Sequence, residues 1–271
     1  MLSKLLEFLE EDLGKGDITT DSIIPEGKVI KAEVVVKGNG VMAGLEECGE
    51  LLDHFDVRYE TSFKDGDEIK KGDIIITIRG DARKILALER LMLNLLMRMS
   101  GIATTTNEMV KKCRPYGAMI AGTRKTTPGF RYFEKKAIKI GGGYPHRQGL
   151  YDEILIKDNH IAITALEEAI EKTRKTGREK IEVEVSSLKD AIAAYKAGAD
   201  TIMLDNMKPE KIEKVIAELE KMGIRDKVKI ELSGNIIPEN VGEYAKTRPD
   251  FISMGYLTTR APWLDMGLKV G

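Results

Sequence analysis

The sequence predicts an α/β fold in two parts: an α+β layer comes first, and a β/α barrel follows it. Within residues 1–80, short apolar runs are separated by Gly–Asp turns, which is typical of a small antiparallel sheet. From residue 118 onward, strand-like runs alternate with amphipathic helices, which indicates a parallel sheet. A doubly wound sheet is the alternative to a barrel. However, no GxGxxG follows a strand, and this disfavours a dinucleotide-binding fold.

The composition excludes several classes of protein. The chain has 271 residues and is 42% hydrophobic, so it can bury a large core, while its 43 Lys and Arg nearly balance its 44 Asp and Glu. A chain-wide field for nucleic acid is therefore absent. Two cysteines exclude a disulfide framework and favour a reducing, cytoplasmic setting. No run is apolar enough to span a membrane, and acids interrupt the start where a signal peptide would be apolar. The Lys/Glu-rich, Gln-poor balance resembles that of a thermophile.

The first part begins with an amphipathic helix over 2–13, which has a leucine stripe and ends at Gly14. Residues 17–21 are predicted to form a polar turn. Alternation of apolar residues predicts a strand over 30–36. The remaining elements of this part are a helix over 45–55 and strands over 57–63, 68–69 and 74–78.

A long helical pattern over 84–112 connects the two parts, with one interruption at Ser100-Gly101. It is apolar nearly all round, so the helix is expected to be buried or to lie in an interface. Arg90, Asn94 and Arg98 recur every four residues and share one face. This face is either a solvated stripe or a means of presenting Arg90 to an anion across a subunit boundary.

The second part alternates strands with helices. Pro209 and Pro238 each stand where a first helical turn tolerates proline, and Gly177, Gly198 and Gly223 stand where helices stop. The predicted strands cover 118–121, 154–156, 181–185, 201–204, 228–232 and 251–254, and the predicted helices cover 165–175, 188–197, 209–222 and 238–247.

The stretch over 122–160 combines cations, hydroxyls and glycines in a way that core segments do not. Arginine forks, lysine charges and bare backbone amides are what a phosphate or carboxylate site needs. We therefore predict an anion-binding active site here, for a phosphorylated sugar and an acidic partner. Its candidate residues are Thr123, Arg124, Lys125, His146, Arg147 and Lys157.

Two acids stand at the carboxyl ends of successive predicted strands, where barrels place their active sites. Glu184 and Asp205 each follow apolar residues, and buried acids are costly unless they are paired or bind a metal. They are either a structural salt bridge inside the barrel or ligands for ribose hydroxyls and Mg²⁺, bound directly or through water.

Ser233-Gly234-Asn235 and Gly255 follow the last two strands, where barrels commonly bind phosphate. The alternative for the first of these segments is an ordinary turn. His146 and His160 match no zinc spacing, and the absence of Gly-x-Ser-x-Gly leaves a hydrolase nucleophile without support.

A set of motifs over nearly the whole chain resembles the quinolinate phosphoribosyltransferase family, of the type II phosphoribosyltransferase fold. The motifs are Glu11-Asp12-Leu13-Gly14, Gly16-Asp17-Ile18-Thr19, Glu89-Arg90 with Leu93-Asn94, Ser100-Gly101-Ile102-Ala103-Thr104, Thr123-Arg124-Lys125-Thr126 with Pro128-Gly129, Gly141-Gly142-Gly143 with His146-Arg147, Ile156-Lys157-Asp158-Asn159-His160, Glu182-Val183-Glu184-Val185, Leu204-Asp205-Asn206 and Ser233-Gly234.

The resemblance implies an N-terminal α/β sandwich over 1–112 and an open α/β barrel over 113–271, with the extreme C-terminus packing back on the first domain. It also implies that quinolinate and phosphoribosyl pyrophosphate give nicotinate mononucleotide, pyrophosphate and CO₂, with Mg²⁺, in NAD biosynthesis. Arg124, His146, Arg147 and Lys157 would hold quinolinate, and Lys125 would face the phosphoribosyl pyrophosphate. Arg90 would enter from the neighbouring subunit of a dimer or larger homo-oligomer. Glu184 and Asp205 would lie at the ribose and metal, and Ser233, Gly234, Asn235 and Gly255 would cradle the phosphate.

The sequence departs from the family pattern at Pro145, Asn235 and Thr259-Arg260, where Asn, Gly and His-Ser are usual. One competing function is a nicotinate phosphoribosyltransferase of the same fold, which would act without decarboxylation. Another is a biotinyl or lipoyl carrier, suggested by the turns over 64–67 and 70–73, although Lys70-Lys71 lacks the expected flanking residues. A purely structural barrel is the third alternative.

Overall fold

The structure is a computed structural model that describes residues 1–177 and 180–271. It divides into two compact units. The first comprises Met1–Asn107, Lys139–Gly141 and Ala261–Gly271, and the second comprises Glu108–Ile138 and Gly142–Arg260.

The chain begins with short helices and antiparallel strands, followed by one long helix. The predicted helix over 2–13 is confirmed, but the polar turn predicted over 17–21 is wrong. Asp17 instead caps a helix, because its side chain accepts the backbone N–H groups of Thr19 and Thr20. The elements are α1 (Leu2–Leu13), α2 (Ile18–Ile23), β1 (Val29–Val36), β2 (Gly40–Val41), α3 (Leu45–His54), β3 (Arg58–Glu60), β4 (Glu68–Ile69), β5 (Ile74–Asp81) and α4 (Ala82–Cys113).

The rest of the chain alternates strands and helices, and all six predicted strands of this part are present. Pro238 does not open a helix as predicted, since the helix begins at Val241. The elements are β6 (Met119–Ala121), α5 (Arg131–Ile140), β7 (Ile154–Ile156), α6 (Asp158–Ile161), α7 (Leu166–Arg174), β8 (Ile181–Val185), α8 (Leu188–Lys196), β9 (Thr201–Asp205), α9 (Pro209–Lys221), β10 (Lys229–Ser233), α10 (Val241–Lys246), β11 (Phe251–Ser253), α11 (Tyr256–Thr259) and β12 (Met266–Val270).

The first unit is built on a four-stranded antiparallel sheet in the order β12-β1-β5-β3. Alternate residues of β1, such as Val34 and Val36, are buried, as are Leu5 and Leu9 from the apolar stripe of α1. The last strand of the chain therefore completes the sheet of the first unit.

Helix α4 runs without a break through Ser100 and Gly101, where the sequence pattern is interrupted. Ser100 Oγ donates to the carbonyl of Ala43 and accepts the Ala43 N–H. A Cβ atom on Gly101 would lie 2.0 Å from the carbonyl oxygen of Pro262, so only glycine allows this contact. The interruption therefore marks close packing inside the first unit. In the described part of the chain, no helix is both long and apolar enough to cross a bilayer.

The second unit contains six parallel strands in the order β6-β11-β10-β9-β8-β7. Across the sheet, the strands from β7 to β11 follow one another in chain order, and β6 lies next to β11. In a doubly wound sheet the chain order reverses partway across the sheet, so the doubly wound alternative is wrong. The edge strands β6 and β7 are not paired with each other, which makes the barrel open as expected. Its core contains the fully buried residues Ile120, Val183, Ile202, Ile230 and Ile252.

We predict that Gly101→Ala lowers the free energy of unfolding by about 1–3 kcal/mol, because the added methyl group overlaps a backbone carbonyl. Gly242→Ala in α10 is the matched control: nothing lies within 4 Å of its added Cβ, and alanine favours helix by about 0.5–1 kcal/mol. Urea unfolding of both variants checks the prediction. Equal stabilities would show that the Gly101 contact is not tight.

Candidate active site

A cavity of about 500 Å³ opens at the carboxyl ends of the barrel strands in the second unit. This volume is ordinary for a small-molecule site. Parallel strands bring side chains from distant parts of the sequence to this edge. The cavity is lined by Gly122, Thr123, Arg124, Lys125, His146, Arg147, Leu155, Lys157, Glu184, Met203, Asp205, Asn206, Ser233, Gly234, Asn235 and Ser253.

The segment after β6 presents the first cations. Thr123 Oγ1 accepts the backbone N–H of Lys125 at 3.1 Å, and Thr258 Oγ1 donates to the Lys125 carbonyl at 2.6 Å. Gly255 does not line the cavity, but a Cβ there would lie 3.1 Å from Cδ of Lys125. Gly255 thus makes room for the Lys125 side chain.

Arg147 is only 5% exposed, which is unusual for a guanidinium group. Its Nη1 donates to the carbonyl of Glu153 at 3.1 Å. Burial, followed by the positive charge of Arg124, lowers the pKa of Arg147, while nearby Glu182 and Glu153 oppose that shift. Nε of Arg124 is also buried and has no hydrogen-bond partner among the described residues. Two neighbouring guanidinium groups of this kind form a site for an anion with more than one oxygen.

His146 lies among carboxylates. Its Nε2 is 3.3 Å from Glu182 Oε2 and 3.5 Å from Glu231 Oε1, and its Nδ1 is 3.5 Å from Glu153 Oε2. Burial lowers the pKa of His146, but the hydrogen bonds and charges of Glu182 and Glu231 outweigh burial and raise it to about 10. The backbone N–H of Arg147 points at Nδ1, at 2.8 Å, and opposes a proton there. The three carboxylates favour the protonated, positively charged ring, and the single backbone amide that disfavours it does not outweigh them.

Glu182 and Glu231 form a buried acidic layer beneath the cavity. Ser253 donates a hydrogen bond to Glu231, and burial is the largest cause that raises the pKa of Glu182, to about 7. Donor atoms of His146, Glu182 and Glu231 lie within 4.8 Å of one another, as metal ligands could. A proton on Nε2 that faces both carboxylates accounts for this arrangement without an ion.

Lys157 and Glu184 form an ion pair, with Nζ and Oε2 2.5 Å apart. The Lys157 side chain is 41% exposed and that of Glu184 is 12% exposed, so the pair stands at the edge of the cavity. His160 Nδ1 accepts the backbone N–H of Lys157 at 2.9 Å, which shapes the segment after β7. His160 therefore supports Lys157.

The loops after β9 and β10 are built from residues with left-handed backbone. Asn206, Gly234 and Asn235 have φ values of 52°, 97° and 53°. Asn206 Nδ2 donates to Asp205 Oδ2 at 2.5 Å, and Asn235 Nδ2 donates to Asn206 Oδ1 at 3.0 Å. A Cβ on Gly234 would lie 2.4 Å from Asn206 Oδ1. Asparagine tolerates left-handed backbone well, so Asn235 fits a position whose φ of 53° otherwise favours glycine.

The structure brings most of the predicted site residues into one cavity. Arg90 lies on α4 in the first unit, with an exposed side chain, and does not line the cavity. The sequence reasoning did not assign functions to Asn206, Glu182, Glu231 and Ser253. The period of two along a strand was the available signal, since Glu182 precedes Glu184, and Glu231 precedes Ser233, on the same face. The predicted residues in the cavity are Thr123, Arg124, Lys125, His146, Arg147, Lys157, Glu184, Asp205, Ser233, Gly234 and Asn235.

Two family models together match almost the whole chain. The model described as "Quinolinate phosphoribosyl transferase, C-terminal domain" matches residues 102–269. The model described as "Quinolinate phosphoribosyl transferase, N-terminal domain" matches residues 17–100.

Individual relatives agree with these matches over most of their length. A protein from Archaeoglobus fulgidus, named probable nicotinate-nucleotide pyrophosphorylase [carboxylating], is 48% identical over 94% of this chain and 98% of its own length. A rat protein, named nicotinate-nucleotide pyrophosphorylase [carboxylating], is 36% identical over 92% of this chain and 84% of its own. The crystal structure of nicotinate-nucleotide pyrophosphorylase from Ehrlichia chaffeensis has a TM-score of 0.94 at 34% identity, covering 100% of this chain and 98% of that one.

We predict that the His146 ring stays charged as the pH rises past its ordinary pKa of 6.5 and loses its proton near pH 10. Since the folded pKa lies above that of the unfolded chain, the resulting stabilisation is complete below about pH 6.5 and is lost as the pH rises toward 10. The measurement is a ¹⁵N NMR titration of the imidazoles, with His146→Gln to assign the signal. Glu231→Gln should lower the pKa of His146, and an unchanged pKa in that variant would contradict the cause given.

Proposed function

The chain belongs to the quinolinate phosphoribosyl transferase family, and from this premise and the cavity we propose its reaction. It transfers the phosphoribosyl group of phosphoribosyl pyrophosphate to quinolinate and releases CO₂, giving nicotinate mononucleotide and pyrophosphate. The protein is thus a carboxylating nicotinate-nucleotide pyrophosphorylase, a pentosyltransferase of NAD biosynthesis.

The observation that carries this proposal is the buried Arg147 beside Arg124. Two guanidinium groups in one small cavity cost free energy unless an anion lies between them. Quinolinate carries two adjacent carboxylates, and each matches the fork of one arginine. Nε of Arg124 is buried and has no partner within residues 1–177 and 180–271, so it supplies one further donor for this purpose.

The other side of the cavity suits the sugar phosphate. The left-handed loop at Gly234 and Asn235 offers a setting for a phosphate, and the exposed Lys125 is a point charge for the pyrophosphate. Glu184 and Asp205 suit ribose hydroxyls. Their carboxylate oxygens are also ligands that Mg²⁺ prefers alongside substrate phosphates, so these residues would hold Mg²⁺. When bound there, the ion would neutralise charge on the leaving pyrophosphate.

The chemistry needs orientation and charge rather than a protein nucleophile. The ring nitrogen of quinolinate bonds to the anomeric carbon as pyrophosphate leaves. The nitrogen becomes cationic, and this charge stabilises the carbanion formed when the adjacent carboxylate departs as CO₂. The chain orients both substrates and keeps water away from the reacting atoms.

The competing functions are less well supported. Nicotinate has one carboxylate and would leave one arginine fork without a ligand, and curated relatives carry the word carboxylating in their names. A carrier module does not need a lined cavity with five cations. A purely structural barrel does not explain the buried guanidinium group of Arg147 beside Arg124.

We infer that the active enzyme is a homodimer or a larger assembly, in which Arg90 reaches the cavity of a neighbouring copy. Helix α4 displays Arg90 on its exposed face, while Leu88, Leu91 and Met92 beside it are buried. Arginine is enriched at protein interfaces relative to the rest of the surface, which fits an exposed Arg90 at a subunit boundary.

We place the reaction in the reducing cytoplasm. Cys48 and Cys113 are both buried and free. Burial raises the pKa of each thiol, which keeps both in the unreactive protonated form. Neither thiol therefore points to an oxidising compartment.

We predict that the purified protein releases CO₂ and mononucleotide in equal amounts from quinolinate, phosphoribosyl pyrophosphate and Mg²⁺, and that EDTA abolishes turnover. Arg147→Ala should lower kcat/KM for quinolinate by about 100-fold or more, since a charged hydrogen-bond donor to the substrate is lost. Lys221→Ala, on the exposed face of α9, is the control for loss of a cation. Product from nicotinate alone would assign the chain to the reaction without decarboxylation, and no product from either would overturn the proposal.

Hybrid oligomers test the role of Arg90. We predict that Arg90→Ala and Lys157→Ala are each nearly inactive alone, and that mixing them through denaturation and refolding restores up to about a quarter of wild-type activity, because half of the dimers are hybrids with one intact site. Mixing each variant with itself is the control. If the mixture stays inactive although hybrids form, Arg90 does not act across a subunit boundary.

A further inference from the structure

His146 has a backbone conformation that its side chain disfavours. Its φ of 57° lies in the left-handed region, which glycine adopts freely and residues with a Cβ adopt rarely. The direction of the chain at this residue decides where the His146 ring and the neighbouring Arg147 side chain point. A contact that holds this conformation in place therefore also holds the directions of these two side chains.

A buried lysine on α5 makes that contact. Nζ of Lys135 donates hydrogen bonds to the carbonyl of Pro145 and, at 3.1 Å, to the carbonyl of His146. These two carbonyls belong to the peptide groups on either side of the His146 Cα atom. Because one ammonium group binds both peptide planes, it restricts the φ and ψ angles of His146, which lies between them.

Lys135 is poorly placed for any other purpose. It is 1% exposed, which is rare for a lysine, and it does not line the cavity. Burial, followed by the charge of Arg131, lowers its pKa to about 8. Arg147 adds to this shift, while Glu153 and Asp152 oppose it. Burying this ammonium group costs free energy, and its hydrogen bonds to the two carbonyls offset part of that cost.

Helix α5 also binds the segment that precedes it in the chain and the segment that follows it. Arg131 Nη1 donates to the carbonyl of Gln148 at 2.9 Å, and its Nε donates to Thr126 Oγ1 at 2.9 Å. The Glu134 carboxylate accepts the N–H and the hydroxyl of Thr127 at 3.0 and 3.1 Å. Three charged residues of α5 thus fix both of the cation-bearing segments, 123–127 and 145–148.

We propose that Lys135 is a positioning residue, which sets the directions of His146 and Arg147 by binding the two peptide carbonyls around His146. The assignment of quinolinate as the affected substrate rests on the function proposed above. The positioning itself does not depend on which anion binds.

The experiment compares Lys135→Met with Lys139→Met, the same substitution one helical turn further along α5 at an exposed lysine. Hydrogen exchange measured by mass spectrometry should show faster exchange over 143–149 in Lys135→Met only, with β9 and β10 unchanged. KM for quinolinate should rise about 10-fold or more, as expected for loss of a charged donor, while KM for phosphoribosyl pyrophosphate changes less than about threefold.

A pH series separates positioning from general loss of structure. The ratio of the two quinolinate KM values, variant over wild type, should fall as the pH rises through about 8, where Lys135 itself loses its charge. A ratio that does not change with pH would contradict the proposal, as would equal increases in both KM values or unchanged exchange over 143–149. If wild type shows no turnover at all, the proposed function fails, while the exchange data still decide the positioning role.

Arg131→Met is the second variant, in case Lys135→Met does not fold. Arg131 is only partly buried, and its loss removes the bonds to Gln148 and Thr126. It should raise exchange over 145–149 and raise KM for quinolinate in the same direction. No change in either quantity would overturn the role given to α5.

Discussion

The second unit depends on a balance of buried charge beneath its cavity. Arg147 and His146 are nearly enclosed cations, and such groups are costly unless opposite charges or hydrogen bonds compensate for them. Glu182 and Glu231 supply the compensation from inside the barrel, through the His146 ring. His146 and Arg147 can therefore face the cavity and bind an anion, while Glu182 and Glu231 remain buried beneath them.

The barrel makes this balance possible through the period of two along its strands. Residues 182 and 184 of β8 point to one face, and so do residues 231 and 233 of β10. In each pair, the first residue lies in the buried acidic layer and the second lies at the cavity. One strand thus provides both a group that compensates charge and a group that contacts ligand.

The sequence predicts the strands of the barrel and brings out the cations that lie at its cavity, because both signals are local. Apolar runs such as 154–156 and 181–185 coincide with the strands, and Arg124, Lys125, Arg147 and Lys157 all line one cavity. The misassigned segments have another cause. The start of α2 depends on the capping bonds of Asp17, and the glycine inside α4 at position 101 is explained by the close approach of Pro262, a contact distant in sequence. No local pattern contains those contacts.

Helix α5 lies inside the cation-rich stretch and supports the segments that line the cavity. The richness of residues 122–160 in cations predicts a binding segment and does not predict the helix α5 that lies within it. The cations of this stretch have two different roles. Arg124 and Arg147, outside the helix, line the cavity, whereas Arg131 and Lys135, on α5, bind backbone carbonyls. Residue type alone does not separate these two uses. Burial and partners do. In the part of the chain that the structure describes, the buried Lys135 donates to two peptide carbonyls and orients the chain, whereas the buried Nε–H of Arg124 has no partner and is ready to bind a ligand.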